Sequence, residues 1–199
     1  MVDLTRVLPK SSFDQDPVRV AQALLGKWLI HDEQGVIVAG RIVETEAYLA
    51  AHDPASHSHR GQTSRNAAMF GPPGHAYVYA IHRYHCLNVV TEGVGVPSAV
   101  LLRAVEPLQG LEIMAARRGT DHYVHLASGP GKLCQAFAID RALNRWDCTQ
   151  GTCLWLAEPV SDTALEIAVS PRIGVTSAQE LRLRFYDAGS ACLSRRHRG

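Results

Sequence analysis

The 199-residue sequence lacks the features that mark several classes of protein. It has no apolar run of the roughly 18 residues that a membrane span needs, and its first residues lack the basic and then apolar order of a signal peptide. Its net charge is only +1, so it also lacks the basic excess common in proteins that bind nucleic acid. We therefore expect no membrane association and a cytoplasmic location. Because the net charge is near zero, a site for a polyanion would need basic residues that cluster locally. Arg117-Arg118 and the tail at 195–198 are candidates, although such clusters are usually solvated surface.

The cysteines also lack a pattern. There are five, an odd number, and no two have the CxxC spacing of a metal or redox motif. Reduced thiols in a cytosol are therefore expected.

The length and composition predict one compact domain over residues 1–199. An early helix is marked by Asp16 as N-cap, Pro17 in the first turn and Gly26 as the stop. Hairpins are predicted for 27–31 with 36–46, and for 76–81 with 86–90 around a tip at 82–85. Further predicted strands are 99–105, 154–157, 165–169 and 181–186, and further predicted helices are 107–116, ending at Gly119, and 129–138. Since hairpins join several of the strands, we expect an α+β fold with a curved, mostly antiparallel sheet and flanking helices.

The long stretch at 49–73 has no apolar periodicity and is rich in His, Ser, Arg, Asn and Gly. A loop of this length within a compact domain is usually functional or disordered. It contains His52, His57 and His59, and a cluster of imidazoles suggests a metal site. Zinc sites, however, need further ligands at defined spacing, such as HExxH or paired CxxC motifs. None is present, so we predict no metal and interpret the histidines as hydrogen-bonding loop residues.

Two predicted strands carry the strongest functional signal. Glu44, Glu46 and Tyr48 alternate along one strand, and Tyr77 and Tyr79 alternate along another. Side chains two residues apart share a face of a strand. If the two faces meet, they form a pocket with aromatic walls and an acid at its base. Such a pocket suits a flat, electron-poor ring and a water activated beside it.

These residues also have purely structural interpretations, which the sequence leaves open. A glutamate at a strand end is most often solvated or paired with an arginine, and strand tyrosines often pack a core with the hydroxyl reaching a partner. The turn Gly129-Pro130-Gly131-Lys132 lacks the Ser or Thr of a P-loop. It is a weak signal for a nucleoside triphosphate, but a single contact with a backbone phosphate fits it.

Together these segments resemble the alkyladenine (3-methyladenine) DNA glycosylase family of the mammalian type. The similarity runs through residues 40–48 (GRIVETEAY), 65–66 (RN), 69–70 (MF), 77–79 (YVY), 86–88 (CLN), 100–107 (VLLRAVEP) and 128–136 (SGPGKLCQA). It is weaker at 172–175 (RIGV) and 183–186 (LRFY), so most of the chain is covered.

The resemblance implies an enzyme that flips a damaged purine out of double-stranded DNA and hydrolyses its glycosidic bond. It places Glu46 at the general base, with Arg103 helping to position the water and a nearby phosphate. Tyr48, His57 and Tyr79 fall on the walls around the flipped base. Asn88 matches the residue that restrains purines with an exocyclic amine and so helps to reject normal guanine.

The resemblance also implies contacts with the DNA backbone and a simple reaction. Lys132 is expected to approach the backbone, and no lysine nucleophile is matched, so the product is an abasic site. No cofactor is expected, and a monomer suits a protein that scans DNA. The intercalating tyrosine of the family corresponds to His82 here, a smaller and polar side chain, with Tyr84 as a second candidate. Two alternatives remain: a lesion binder without catalysis, and a metal-dependent hydrolase built on the loop histidines.

Overall fold

The structure, a computed structural model, describes residues 5–160 and 164–195. Three α-helices and eight β-strands form its framework, together with short 3-10 helices. The helices are α1 (Pro17–Ala23), α2 (Leu111–Arg118) and α3 (Pro130–Ala136). The strands are β1 (Trp28–Glu33), β2 (Val36–Tyr48), β3 (Ala76–Ile81), β4 (Tyr84–Thr91), β5 (Ser98–Gln109), β6 (Leu154–Ala157), β7 (Ile167–Ser170) and β8 (Arg184–Asp187).

The strands make one antiparallel sheet in the order β3-β4-β5-β2-β1-β6, while β8 pairs with both β2 and β7. The long strand β2 sets the curvature. Its first part pairs with β1, residues 44–46 pair with β8, and β5 runs along its other edge. Register shifts interrupt the pairing of β2 with β5 between Ile42 and Thr45. Since such irregularities bend a strand and increase its twist, the sheet curls at the point where Glu44 and Glu46 lie.

The helices pack against this curved sheet. Asp16 caps α1 as predicted: its Oδ1 accepts hydrogen bonds from the backbone N–H groups of Val18 (2.9 Å) and Arg19 (3.3 Å). Thr45 on β2 donates a hydrogen bond to the carbonyl oxygen of Ala21, which ties α1 to the sheet beside the curved segment. The main core contains fully buried Phe13, Leu102 and Phe137. The predicted α+β fold with a curved antiparallel sheet is therefore confirmed.

Two local predictions were wrong. Residues 107–109 continue β5 instead of starting a helix, and Pro107 pairs with Gly40 at an irregular point of the ladder, where the missing N–H of proline is tolerated. Helix α2 begins only after Gly110, whose φ of +77° breaks the strand. The second hairpin is also tighter than predicted, because Tyr84 pairs directly with Ile81.

The described residues include no helix long and apolar enough to cross a membrane. All five cysteines are free in the structure. Arg117 and Arg118 contact the protein: Arg117 pairs with Glu33, and Arg118 donates to the carbonyl oxygen of Leu126. Residues 196–198 of the basic tail lie outside the described residues.

Gly110 provides a test of the β5–α2 junction. A Cβ atom there would lie 2.8 Å from the carbonyl oxygen of Ile37, in addition to the positive φ. Gly35 also has a positive φ (+90°), but a Cβ atom added to it would have no heavy atom within 4 Å. We expect Gly35→Ala to lower the free energy of unfolding by about 1–2 kcal/mol through the backbone alone, and Gly110→Ala to lower it by about 1–3 kcal/mol more through the clash. Urea denaturation measures both, and equal losses would contradict the close approach.

Candidate active site

A cavity of about 580 Å³ opens where the end of β2 meets the β3–β4 hairpin. Its aromatic lining consists of Tyr48, His57, Tyr77, Tyr79 and Tyr84. Asn88 and Arg103 add polar groups, and the segment 173–177 and the turn at 130–131 complete the wall. The two strand faces therefore meet as the alternating pattern predicts, and both Tyr77 and Tyr79 line the cavity.

Three aromatic rings form one continuous wall. The ring of His57 lies 4.6 Å from that of Tyr79 at 71°, and the rings of Tyr77 and Tyr79 are 5.5 Å apart. The Nδ1 of His57 lies 2.9 Å from the Tyr77 hydroxyl, which fixes the imidazole against the wall. Neighbouring rings desolvate His57 and, with Arg65, lower its pKa. A neutral imidazole therefore faces the cavity near pH 7.

Buried polar groups hold His57 in place on the long loop. The amide Nδ2 of Asn66 donates to the carbonyl oxygens of His57 (2.8 Å) and Gly61 (2.9 Å). Its Oδ1 accepts from the N–H of Thr63 at 2.7 Å. Asn66 is only 3% exposed, so the loop has its own polar core. The stretch that showed no periodicity in the sequence is ordered by hydrogen bonds.

Glu46 lies directly behind the cavity wall and is completely buried. Its Oε1 accepts a hydrogen bond from the backbone N–H of Ile173 at 2.7 Å. Its Oε2 accepts from the Tyr48 hydroxyl at 3.0 Å and lies 3.2 Å from Nη1 of Arg103. An ionised carboxylate has about four acceptor positions, so these three donors leave one position for a further donor.

A second buried carboxylate supports Arg103 from behind. The Oε1 of Glu44 accepts from Nε of Arg103 and from Nε of Arg184, each at 2.8 Å. Ser194 donates its backbone N–H (2.7 Å) and its hydroxyl (2.6 Å) to the same carboxylate. Arg103 is thus held between the two glutamates and cannot turn freely, although its guanidinium reaches the cavity.

The two glutamates differ in electrostatic environment. Burial raises the pKa of Glu46, and this effect outweighs the opposing contributions of Arg103, Ile173 N–H and Tyr48. Burial also acts on Glu44, but Arg103, Arg184 and Ser194 together lower the pKa of that carboxyl. Neighbouring acids whose pKa values are pushed apart are typical of sites with an acid or base role. Glu46 is therefore the more basic of the two carboxylates.

The other predicted residues surround this centre. Asn88 is buried in the wall, and its Nδ2 donates to the carbonyl oxygen of Tyr77 at 3.0 Å. Lys132 lies 3.5 Å from the Ser128 hydroxyl, on the turn beside the cavity mouth. His82 is exposed at the hairpin tip with a φ of +52°. Tyr84 does not share the tip, since it packs against Gly131 and lines the mouth.

The loop histidines separate. All three are exposed, but His57 lines the cavity, whereas His52 and His59 lie outside its lining. Within the described ranges, no cluster of three or more His, Cys, Asp or Glu side chains could hold a metal ion.

The segment after β7 supplies functional groups that the sequence reasoning did not identify. Ile173 gives Glu46 a backbone donor, and Arg172 pairs with Asp53 beneath Tyr48. The weak match at 172–175 was the available signal, but a backbone N–H has no residue type that a sequence can show. The strand alternation includes Tyr77 beside Tyr79, but the family resemblance gives no role to Tyr77, which also lines the cavity.

The fold and the cavity thus define an enzyme-like site for a planar ring, with a buried acid beside it. Comparison with known proteins agrees with this class. The family model described as methylpurine-DNA glycosylase matches residues 11–191, which is most of the chain. The chain therefore belongs to the methylpurine-DNA glycosylase family and is a DNA glycosylase.

Relatives from several organisms support this assignment over nearly their full lengths. A protein of Methanoculleus marisnigri is 51% identical over 193 residues, which cover 95% of this chain and 99% of that protein. A protein of Methanocella arvoryzae is 49% identical, with 97% and 98% covered. One of Carboxydothermus hydrogenoformans is 45% identical, with 90% and 94% covered. All three are provisionally named 3-methyladenine DNA glycosylases.

The opposed shifts of the two glutamates can be measured directly. In carboxyl carbon NMR titrations we expect Glu46 to titrate above the usual glutamic acid value of about 4.3 and Glu44 to titrate below it. Arg103→Gln should raise the pKa of Glu46 further, because it removes the positive charge that favours its carboxylate. A Glu46 signal that titrates below Glu44 would contradict the electrostatic description of the site.

Proposed function

We propose that the protein is a monofunctional DNA glycosylase that flips alkylated or deaminated purines out of double-stranded DNA. It then hydrolyses the glycosidic bond with a water activated by Glu46 and leaves an abasic site. The observation that carries the proposal is the Glu46 carboxylate, buried behind an aromatic cavity with one acceptor position unused. No cofactor or metal takes part in this scheme.

The cavity supports binding of a flipped base between aromatic faces. Tyr48 lies on one side, and Tyr79 with His57 forms the other, in the proposed arrangement. An alkylated purine carries positive charge, which the ring faces favour by about 0.5–2 kcal/mol. A neutral His57 suits this task, since an imidazolium would repel a cationic base. Recognition by stacking tolerates several purine lesions because every base has two flat faces.

The reaction needs one proton acceptor. Glu46 removes a proton from the water as its oxygen forms a bond to C1′ of the sugar, and the bond from C1′ to the purine nitrogen breaks. The electron pair of that bond stays with the purine, so a cationic alkylated base leaves as a neutral molecule. An uncharged deaminated purine leaves as an anion and takes up a proton from water. Arg103, fixed by Glu44, orients the carboxylate and the water. Since Glu46 is closed to bulk solvent, the attacking water must reach it from the cavity and take the unused acceptor position.

Asn88 supports selection against normal guanine. One of its amide protons is committed to the carbonyl oxygen of Tyr77, which fixes the orientation of the amide in the cavity wall. The exocyclic amine of normal guanine would meet this fixed, buried group, which disfavours its binding. A 7-methylated guanine carries the same amine, but its positive charge is attracted to the ring faces, which offsets that penalty. We assign Asn88 this role in disfavouring normal guanine.

The cavity mouth supports the approach of DNA. The hairpin that carries His82 at its tip and the turn that precedes Lys132 both contribute residues to the cavity lining. We assign His82 to the gap left by the flipped base and Lys132 to a backbone phosphate. A monomer is sufficient for this scheme, and the reaction places the protein with the cellular DNA in the cytoplasm or nucleoid.

Substitution of the proposed base is the primary test. Glu46→Gln keeps the size of the side chain but removes the proton acceptor, so we expect release of 7-methylguanine from a duplex to fall by at least about 10²-fold, as general base catalysis implies. The measurement is single-turnover base release in excess EDTA, which the wild type should tolerate fully. Wild-type rates in Glu46→Gln would refute the assignment, and lesion binding without release by the wild type would favour a non-catalytic binder.

The hairpin tip gives a second test. An inserted side chain partly offsets the cost of unstacking, which is a few kcal/mol. In a Glu46→Gln background, His82→Tyr should therefore tighten binding to a lesion duplex by about tenfold, equal to about 1.4 kcal/mol, and His82→Ala should weaken it. Tyrosine meets the same left-handed backbone as histidine, so the comparison isolates the side chain. Equal affinity of all three proteins would exclude insertion at this tip.

A further inference from the structure

A buried ion pair lies outside the cavity, next to its tyrosine wall. Arg172 donates from Nη1 and Nη2 to the two carboxylate oxygens of Asp53, each at 2.7 Å. Both side chains are 0% exposed. Neither residue lines the cavity, and neither takes part in the reaction proposed above.

This pair connects three separate parts of the site. The guanidinium carbon of Arg172 lies 4.6 Å from the centre of the Tyr48 ring, which does line the cavity. Asp53 accepts the backbone N–H groups of Leu49 (3.0 Å) and Ala55 (3.1 Å), at the start of the loop that carries His57. The residue after Arg172 is Ile173, whose N–H holds Glu46.

The guanidinium has few other restraints. Its Nη1 also donates to the carbonyl oxygen of Ala47 at 3.1 Å, and its buried Nε has no hydrogen-bond partner among the described residues. Asp53 therefore sets the plane in which the guanidinium stacks on Tyr48. A guanidinium held by two parallel bonds is fixed in angle as well as in distance, whereas an ammonium held at one point is not.

The charge of the pair also matters for the cavity. A lone guanidinium against Tyr48 would place a positive charge next to a site proposed to receive a cationic base. Asp53 neutralises it locally, so the ring keeps its electron-rich face towards the base. The arrangement thus combines a rigid support with no net charge.

We propose that the Asp53–Arg172 pair is a positioning element. It fixes the ring of Tyr48 relative to Ile173, whose N–H donates to Glu46. This inference rests on the proposed function, since it assigns the base wall and the general base a common support. The pair itself touches neither the substrate nor the reacting atoms. Loss of the pair should therefore slow cleavage of the glycosidic bond in enzyme-bound DNA. DNA binding through the outer surface should stay nearly unchanged.

The experiment uses Arg172→Lys and Asp53→Asn in the full chain. Lysine keeps the positive charge but loses the two-point contact, and asparagine keeps the size but loses the charge. Asp187→Asn is a matched control, because Asp187 is also a buried carboxylate (5% exposed) that pairs with an arginine, Arg41, and accepts backbone N–H groups from Glu166 and Gly189. It lies outside the cavity lining.

Single-turnover release of 7-methylguanine, measured over a range of excess enzyme, gives three quantities: the limiting rate constant, the half-saturating concentration and the reacting fraction. We expect both variants to lower the limiting rate constant by about 10²-fold, the effect of a small misplacement of catalytic groups, with little change in the half-saturating concentration. Asp187→Asn should keep the wild-type rate constant even where its melting temperature falls.

Three results would overturn the inference. The first is a wild-type rate constant in both variants with only a smaller reacting fraction, which is what a purely structural pair would produce. The second is an equal loss of rate in Asp187→Asn, and the third is a fully active Arg172→Lys. Absence of release by the wild type itself is a different outcome, since it overturns the proposed function rather than this assignment alone.

Discussion

The balance of charge around two buried glutamates is the constraint on which the site depends. A carboxylate removed from water is costly unless donors and opposite charges compensate it. Glu44 receives Arg103, Arg184 and Ser194, which together stabilise its ionised form. Glu46 shares Arg103 but has only one backbone donor and one hydroxyl besides. Because the donors are shared unequally, Glu46 is the less stabilised carboxylate. Glu44 holds the shared guanidinium of Arg103 between the two glutamates. The proposed base therefore owes its basicity chiefly to burial, and its fixed arginine partner to Glu44, which does no chemistry.

The curvature of the sheet is what allows this arrangement to face a cavity. The irregular pairing of β2 with β5 falls at Glu44, and β8 takes the place of β1 along the other edge of β2 from that residue onward. The bend brings Arg184 of β8 onto Glu44 and turns the end of β2 towards the β3–β4 hairpin. Tyr48 and the pair Tyr77–Tyr79 then meet across one space. A flat sheet would keep these aromatic residues on parallel faces and leave no cavity between them.

Most of the framework and the centre of the site could be predicted from the sequence, for reasons that differ by residue. Helix α1 could be predicted because Asp16 as N-cap and Pro17 in the first turn mark a helix start locally. The alternation of side chains along a strand placed Glu46 and Tyr48 on one face. The start of α2 was misjudged, since Pro107 favours a helix start and only pairing with distant Gly40 keeps it in a strand. The predicted hairpin tip, 82–85, is wider than the observed one, in which Ile81 pairs with Tyr84. Strand register depends on the partner strand, which a single strand's sequence does not show. Ile173 and the Asp53–Arg172 pair depend on contacts between residues more than a hundred positions apart, which single-sequence patterns do not contain.

The central claim is that Glu46 stands beside the reacting carbon while the base lies between the aromatic walls. A crystal structure of the Glu46→Gln protein bound to a duplex with one 7-methylguanine tests this most directly. We expect the flipped base to be stacked between Tyr48 and the Tyr79–His57 wall, with a water bridging residue 46 and C1′ of the sugar. A damaged base that remains stacked in the duplex, or that binds outside this cavity, would contradict it.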